Sequence, residues 1–348
     1  MALLSSLFTR PLIGLDIGVS GIKAVELSGG KVPRLLAYNR IPLPQGIVTS
    51  AGELKDPDKL AEGLKRLFAA GFSSKTVAVG AFGNAIITKK VSVPRMSEDE
   101  LNEQFYWEAE QYIPYSLEEV NLDFAIVGEG SDGTSMEVLM VAAKKDYVNA
   151  MKAALEKAGL SVEVVDSQAF ALGNVFEFSY GNLGGGSNAI VDFGAGSTKV
   201  TLVEGDKTTF SRELRQCGVQ ITQSIADHLH VSFDEAEKIK INDPENTQIT
   251  TVIRQFIYQT VEELSRTLDY AVSQANGQSL QGLYVCGGGS RLPGLFDMLV
   301  EKLPTPVHAL NPIQNIAGSG KKMNGAMIRE LAYLGAVAVG LALRKKGD

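Results

Sequence analysis

Leu12 to Lys23 reads L-I-G-L-D-I-G-V-S-G-I-K: an apolar run closes on Asp16, Gly18 follows two residues later, and Lys23 stands seven residues past the aspartate. From Ile190 the chain reads I-V-D-F-G-A-G-S-T-K, with Asp192, Gly194 and Lys199 at the same offsets. A turn begins thirteen residues past each aspartate, Gly29-Gly30-Lys31 in the first case and Gly205-Asp206-Lys207 in the second. Every one of these features is displaced by 176 residues, as Asp192 is from Asp16. One D-x-G is an ordinary hairpin turn. Two copies with matching flanks at one spacing point to an internal duplication.

Each copy is a strand–turn–strand whose turn is nearly free of Cβ obstruction, so consecutive backbone N–H groups can converge on an anion. Ser20, Ser197 and Thr198 add hydroxyl groups, and Lys23 and Lys199 add positive charge. Asp16 and Asp192 repel phosphate directly. The role that suits them is holding Mg²⁺, mostly through waters, because Mg²⁺ prefers oxygen ligands and keeps part of its hydration shell. Two such hairpins facing each other would clamp a polyphosphate from both sides.

A chain of 348 residues exceeds one ordinary core and suggests two or three units. Its net charge of −7 argues against non-specific nucleic-acid binding, which needs a basic face. Cys217 and Cys286 lie far apart without metal-ligand spacing and read as free cytosolic thiols. His228, His230 and His308 show no metal spacing either. The N-terminal stretch lacks a cationic residue before Arg10 and does not fit a signal peptide. Leu331–Leu343 is shorter than the roughly 18 residues a membrane span needs. These features predict a soluble, cytoplasmic protein.

Along the chain, Leu12–Ile17, Ile22–Ser28 and Val32–Ile41 predict a three-stranded meander. A helix capped by Asp56 and Pro57 follows, then a strand at Thr76–Ala81. From about residue 86 to 160 the pattern becomes an α+β insertion: a strand to Val93, a helix opened by the Ser97–Glu100 capping box, two strands, and a helix from Asp146. Gly184-Gly185-Gly186-Ser187 reads as a flexible joint between lobes. The second half restarts with three strands, then helices including a long one from about Ile249 to Ala275. Gly282–Cys286 is a strand delivering Gly287-Gly288-Gly289-Ser290, and an Ala/Gly-rich helix from about Asn324 to Leu343 closes the chain. The expected division is a first lobe over 1–182, a second over 183–324, and a C-terminal helix over 325–348 that returns to the first.

Other nucleotide signatures are absent. No G-x-x-x-x-G-K-[ST] occurs, which excludes a P-loop, and Leu292 breaks the dinucleotide G-x-G-x-x-G. The triplet Gly287 to Gly289 instead suits close approach of backbone to a flat base, with Ser290, Arg291 and Pro293 starting the next helix. Glu237 and Lys240 stand three apart and share a helix face. A solvated ion pair and a ribose–adenine contact fit them equally.

The doubled hairpins, the late G-G-G-S-R strand end and the A-E-x-x-K helix together resemble the actin-like ATPase superfamily across almost the whole chain. Within it, Glu108–Phe124 (E-A-E-Q-Y-I-P-Y-S-L-E-E-V-N-L-D-F), the opening L-I-G-L-D-I-G and A-I-I-T-K-K-V at Ala85–Val91 resemble the PilM family of type IV pilus assembly proteins. The resemblance implies an α/β, actin-like (RNase H-like) duplicated two-lobe ATPase fold with an FtsA-like inserted subdomain, binding ATP and Mg²⁺ between the lobes. Carried over by residue, Asp16, Gly18, Ser20, Gly21 and Lys23 resemble the first phosphate motif. Asp192, Gly194, Gly196, Ser197 and Thr198 resemble the second, Glu237 and Lys240 the ribose/adenine helix, and Gly287, Gly288, Gly289, Ser290 and Arg291 the adenosine motif. Asp166 matches the segment where related filament formers hold an acidic residue that positions water, with Gln168 behind it; the proline usual nearby is Ser167 here. The implied principal partner is the cytoplasmic N-terminal peptide of PilN, an inner-membrane protein, docked between the insertion and the first lobe. Trp107, Tyr112, Ile113 and Tyr115 are the residues to examine for that contact. Other inner-membrane pilus proteins and a homo-oligomer complete the implied partners, with membrane association only through them. The same superfamily also holds FtsA-like filament formers and small-molecule kinases.

Overall fold

The structure, a computed structural model, describes residues 12–345 apart from 70, 131–132, 182, 184–185, 275–278 and 321–322. β1 (Ile13–Ile17), β2 (Gly21–Leu27) and β3 (Leu35–Pro42) form the antiparallel meander. α1 (Pro57–Phe68) begins where the Asp56 carboxylate accepts from the Lys59 amide at 3.0 Å, and it buries Leu60, Leu64 and Leu67. β4 (Thr76–Ala81) returns parallel to β1.

The insertion follows as β5 (Ile86–Pro94), α2 (Glu98–Ala109), β6 (Val120–Glu129) and β7 (Ser135–Lys144). Its strands pair antiparallel in the order β5-β7-β6, and Leu101, Phe105 and Ala109 join α2 to that sheet's core. The chain then re-enters the first lobe through α3 (Lys145–Lys157), β8 (Ser161–Ser167) and α4 (Gln168–Tyr180), completing a sheet of order β3-β2-β1-β4-β8.

β9 (Ser187–Phe193), β10 (Thr198–Glu204) and β11 (Lys207–Leu214) repeat the meander. α5 (Gly218–Leu229), α6 (Phe233–Asn242), α7 (Thr250–Gln274), β12 (Leu280–Cys286), α8 (Leu295–Lys302) and β13 (Val307–Ala309) complete the second lobe. Its sheet order, β11-β10-β9-β12-β13, matches the first strand for strand. Asp16 lies opposite Lys23 across β1–β2, and Asp192 lies opposite Lys199 across β9–β10, so the duplication holds at the level of register.

Two helices join the lobes: α4, and α10 (Ala336–Ala342), which follows α9 (Gly325–Leu334). One apolar cluster collects Val25 and Tyr38 from the first sheet, Ile190 and Tyr284 from the second, Phe176 from α4 and Leu341 from α10. Burial of this shared stripe is what fixes one lobe on the other.

Two expectations are corrected. α3 is not part of the inserted core: Tyr147, Met151, Ala154 and Leu155 pack with Leu60 and Leu64 of α1 in the first-lobe core. Sequence continuity concealed this, because β7 passes straight into α3 at Lys144. The single C-terminal helix is two, bent by 91° at Gly335. Of the stretch's glycines, Gly335 stands at the corner and Gly340 at a helix crossing, and composition does not separate the two roles. One strand had no sequence signal: β13 pairs parallel with β12 as the counterpart of β8, from a three-residue segment too short to show a period. The expected joint at Gly184 and Gly185 lies outside the described residues. Among those residues no single helix is long and apolar enough to cross a membrane.

Candidate functional site at the facing hairpin turns

The two repeated turns close with equivalent hydrogen bonds, Gly18 N–H to Gly21 O at 2.9 Å and Gly194 N–H to Ser197 O at 3.1 Å. They also meet. A Cβ on Gly196 would lie 2.4 Å from Val19 Cγ2 and 3.4 Å from Ser50 Cα, so Gly196 is required by the opposite jaw. Ser20 stands exposed on the first turn, whereas Ser197 and Thr198 are buried. The Thr198 hydroxyl donates to Gln216 O at 2.5 Å and is therefore occupied in holding the second turn.

The duplicated aspartates are not electrostatically equivalent. Lys23 Nζ sits 2.7 Å from Asp16 Oδ2, and Gln168 Nε2 donates to Asp16 Oδ1 at 3.0 Å. Lys199 makes no such pair with Asp192; its Nζ donates to Ser197 Oγ at 3.3 Å and lies 5.2 Å from the Phe82 ring centroid. No ion pair involves Asp192 among the described residues. Burial pushes its carboxyl above the usual range; Lys199 and Lys23 pull it down, while Asp16 and Glu213 add to the rise. A part-buried carboxylate that has no ion pair of its own suits a divalent cation. Among the described residues no three carboxylate, histidine or cysteine groups converge on one point.

The residues expected on the adenosine side surround the second turn. Lys240 Nζ is 2.6 Å from Glu237 Oε2 and donates to Thr222 Oγ1 at 2.6 Å and to Gly218 O at 3.1 Å; Thr222 Oγ1 also donates to Glu237. Gly218 N–H in turn donates to Gly194 O at 3.0 Å. The pair is thus a part-buried brace from α6 to the second hairpin turn, not a solvated one.

The glycine triplet is explained differently from expectation. Gly287 has φ +86°, and a Cβ there would lie 2.2 Å from Asp192 Oδ1; a Cβ on Gly289 would lie 3.0 Å from the Phe193 carbonyl oxygen. At Gly287 and Gly289 the neighbouring β9 itself calls for glycine. A Cβ on Gly288 would make only ordinary contact, 3.6 Å from Leu334 Cδ2; Ser290 Oγ donates to Gly287 O at 2.7 Å, and the Arg291 guanidinium lies 5.8 Å from the Tyr333 ring centroid. A cavity of about 300 Å³ opens just beyond this motif, between Pro293 and Gly294 on one side and Pro244 and Glu245 on the other.

Asp166 is not poised beside the turns. It is buried, it accepts from the Ser167 amide at 2.7 Å, and Arg344 Nε lies 3.3 Å from its Oδ2. It stands two strands from Asp16 through Gly80, about 10 Å away at ordinary strand spacing. Gln168 is the residue of that segment that reaches the cleft. Two cleft residues had no sequence signal. Glu213 Oε1 accepts from the Gly83 amide at 2.9 Å across the lobes, and Phe82 underlies Lys199.

On the insertion, the four aromatic-segment residues divide. Ile113 is 6% exposed and belongs to the inserted core, which corrects its expected place at a partner surface. Tyr112 and Tyr115 are half-buried beneath Lys89 and Lys144, at 4.9 and 3.9 Å from the ring centroids. Trp107 is exposed. Lys144 ends β7 where α3 begins, so Tyr115 marks the junction of insertion and first lobe. The insertion also touches the second lobe, as Lys207 Nζ donates to the carbonyls of Ile126 at 3.2 Å and Val127 at 3.3 Å.

The family described as "Type IV pilus assembly protein PilM" matches residues 14–346. A solved PilM-PilN type IV pilus biogenesis complex is 32% identical, with a TM-score of 0.87, covering 96% of this chain and 98% of that one. Cell division protein FtsA of Bacillus subtilis (strain 168) is 22% identical over 351 residues, 86% of this chain and 78% of FtsA. Ethanolamine utilization protein EutJ of Escherichia coli (strain K12) is 26% identical over 175 residues, 48% of this chain. That match spans little more than half of the relative, 57% of its length.

Proposed function

The chain belongs to the PilM family of type IV pilus assembly proteins and has its actin-like two-lobe fold, and from that premise we propose that it is a nucleotide-binding scaffold that holds the cytoplasmic N-terminal segment of PilN. The observation that carries this reading is the likeness to the PilM-PilN complex, which extends over the insertion as well as the duplicated core. The peptide docks at the junction of insertion and first lobe, against Tyr112, Tyr115 and Lys144. The protein works at the cytoplasmic face of the inner membrane and reaches it through PilN. Other inner-membrane pilus proteins and further copies of the chain are the remaining partners of this reading. A labelled PilN N-terminal peptide is expected to bind saturably in fluorescence anisotropy. Tyr115→Ala combined with Lys144→Glu should weaken it about tenfold, roughly the loss of one aromatic and one charged contact. No binding by the wild-type protein would overturn the reading.

The ligand of the cleft is ATP with Mg²⁺. The backbone turns and Ser20 receive the phosphates, Asp192 faces the metal, and Arg291 with the Glu237–Lys240 brace forms the adenosine side. The metal, when bound, neutralises charge between the phosphates and the two aspartates. Gln168, the group that touches Asp16, is placed to orient a water there. In single-turnover assays, Gln168→Ala should slow any hydrolysis about tenfold or more, the scale of one positioning contact, whereas Asp166→Asn should leave it near wild type. The reverse order would restore Asp166 as the water-positioning residue.

A further inference from the structure

The outward face of α2 is composed unlike a solvated helix surface. Leu101, Phe105 and Ala109 face the inserted sheet, and helical spacing puts Asp99, Glu100, Glu103, Tyr106, Trp107 and Glu110 on the opposite side. Trp107, the only tryptophan of the chain, is 70% exposed, and Tyr106 is 45% exposed. Their rings meet edge to face with centroids 6.2 Å apart, so the two form one fixed aromatic ledge. A tryptophan left in water forgoes the gain of burying its ring, and no fold requirement explains that here.

The charge around the ledge is all of one sign. The insertion's cations are engaged elsewhere: Lys89 and Lys144 lie over Tyr112 and Tyr115, Lys90 pairs with Glu137 and Arg95 with Glu129. Among the described residues Asp99, Glu103 and Glu110 form no ion pair. Hydrogen bonds from the Ser97 backbone and side chain hold the Glu100 carboxyl below its usual range, which keeps it ionised.

We propose that this face docks a cationic, arginine-bearing segment of a partner protein, separately from the PilN seat at Tyr115 and Lys144. The ledge offers an aromatic face to a guanidinium, and the surrounding carboxylates offer its hydrogen-bond acceptors. Charge complementarity selects this occupant over the others. An anionic membrane or a nucleic acid is repelled by the carboxylates, and an apolar partner would bury them without counter-charge.

The lone tryptophan makes the test direct. A short synthetic peptide with arginines at alternate positions is titrated against the full chain while Trp107 emission is followed, with a glutamate-substituted peptide as control. The arginine peptide is expected to give a saturable, salt-sensitive change and the control none. Glu103→Lys with Glu110→Lys should weaken the arginine peptide at least about tenfold, while the equal charge change of Glu62→Lys with Asp269→Lys stays within about twofold. No emission change, or equal loss in both variants, would overturn the proposal. Circular dichroism verifies the fold of each variant. The PilN peptide should bind the Glu103→Lys/Glu110→Lys protein as it binds wild type; parallel loss of both peptides would overturn the separation of the two surfaces. Failure of the PilN peptide alone on wild type leaves this result standing and rejects only the family reading of the partner.

Discussion

Asp192→Asn is expected to lower the affinity for Mg²⁺-ATP by ~30- to 150-fold, about 2–3 kcal/mol, and to raise the thermal stability of the nucleotide-free protein at the same time. The two effects share one cause. Asp16 is paired with Lys23 and bonded by Gln168, whereas Asp192 has Lys199 near it but forms no ion pair among the described residues. Burial raises its carboxyl above the ordinary range, which means that folding favours the protonated form. A raised folded-state value contributes stability below the unfolded value, and that contribution is lost as pH rises through the folded one. Near neutral pH the ionised group therefore opposes folding until a cation joins it, and asparagine removes that opposition. The stability gain over wild type should shrink as pH falls toward the ordinary carboxylate range. Calorimetric titration reads the affinity and thermal melts at several pH values read the stability. Unchanged affinity with unchanged stability would show that the carboxylate is already compensated, and would remove its metal role.

Asp16→Asn gives the contrast. It breaks the 2.7 Å pair with Lys23 and leaves that cation without its partner, so it should destabilise the apo protein rather than stabilise it. In the sequence the two aspartates are indistinguishable, because both precede a glycine by two and a lysine by seven. The difference arises from Gln168, distant in sequence, and from Phe82, which draws Lys199 away from the pair it would otherwise make. Local repetition therefore disclosed the fold and the register, since strand–turn–strand geometry is local. It could not disclose which carboxylate is free, since that is settled by contacts between segments more than a hundred residues apart. The same limit explains Asp166, whose partner Arg344 comes from the far end of the chain, and the glycine triplet, whose need for glycine comes from Asp192 and Phe193. On the insertion, the aromatic-rich segment was visible as a feature. Only packing separates Ile113, which is core, from Trp107, which is surface.

Gly340→Ala is expected to destabilise the protein by about 3 kcal/mol, the upper range for forcing one methyl group into a filled interior. Glycine at Gly340 is a packing requirement. It sits in α10 with helical backbone, where alanine is ordinarily the better residue. A Cβ there would lie 1.8 Å from the carbonyl oxygen of Ala171 in α4 and 2.6 Å from its carbonyl carbon, backbone atoms that no rotamer change can move. Nor can α10 retreat. On the side facing β1, a Cβ on Gly14 would lie 1.9 Å from Ala338 O and 2.4 Å from the Ala342 amide, so helix and strand are already in backbone contact there. α10 is pinned between α4 and the first sheet, and a wedge on either side must move an element that belongs to the junction of both lobes. The loss should therefore extend to the cleft: displacing α10 draws Arg344 from Asp166 and shifts α4, whose first residue, Gln168, bonds Asp16. Gly340→Ala should lower the melting temperature by roughly 4 °C and weaken ATP binding. Gly128→Ala, where a Cβ meets nothing within 4 Å, should change neither. If Gly340→Ala melted with wild type, the lobes would have to join with more slack than backbone contact at Gly14 and Gly340 allows.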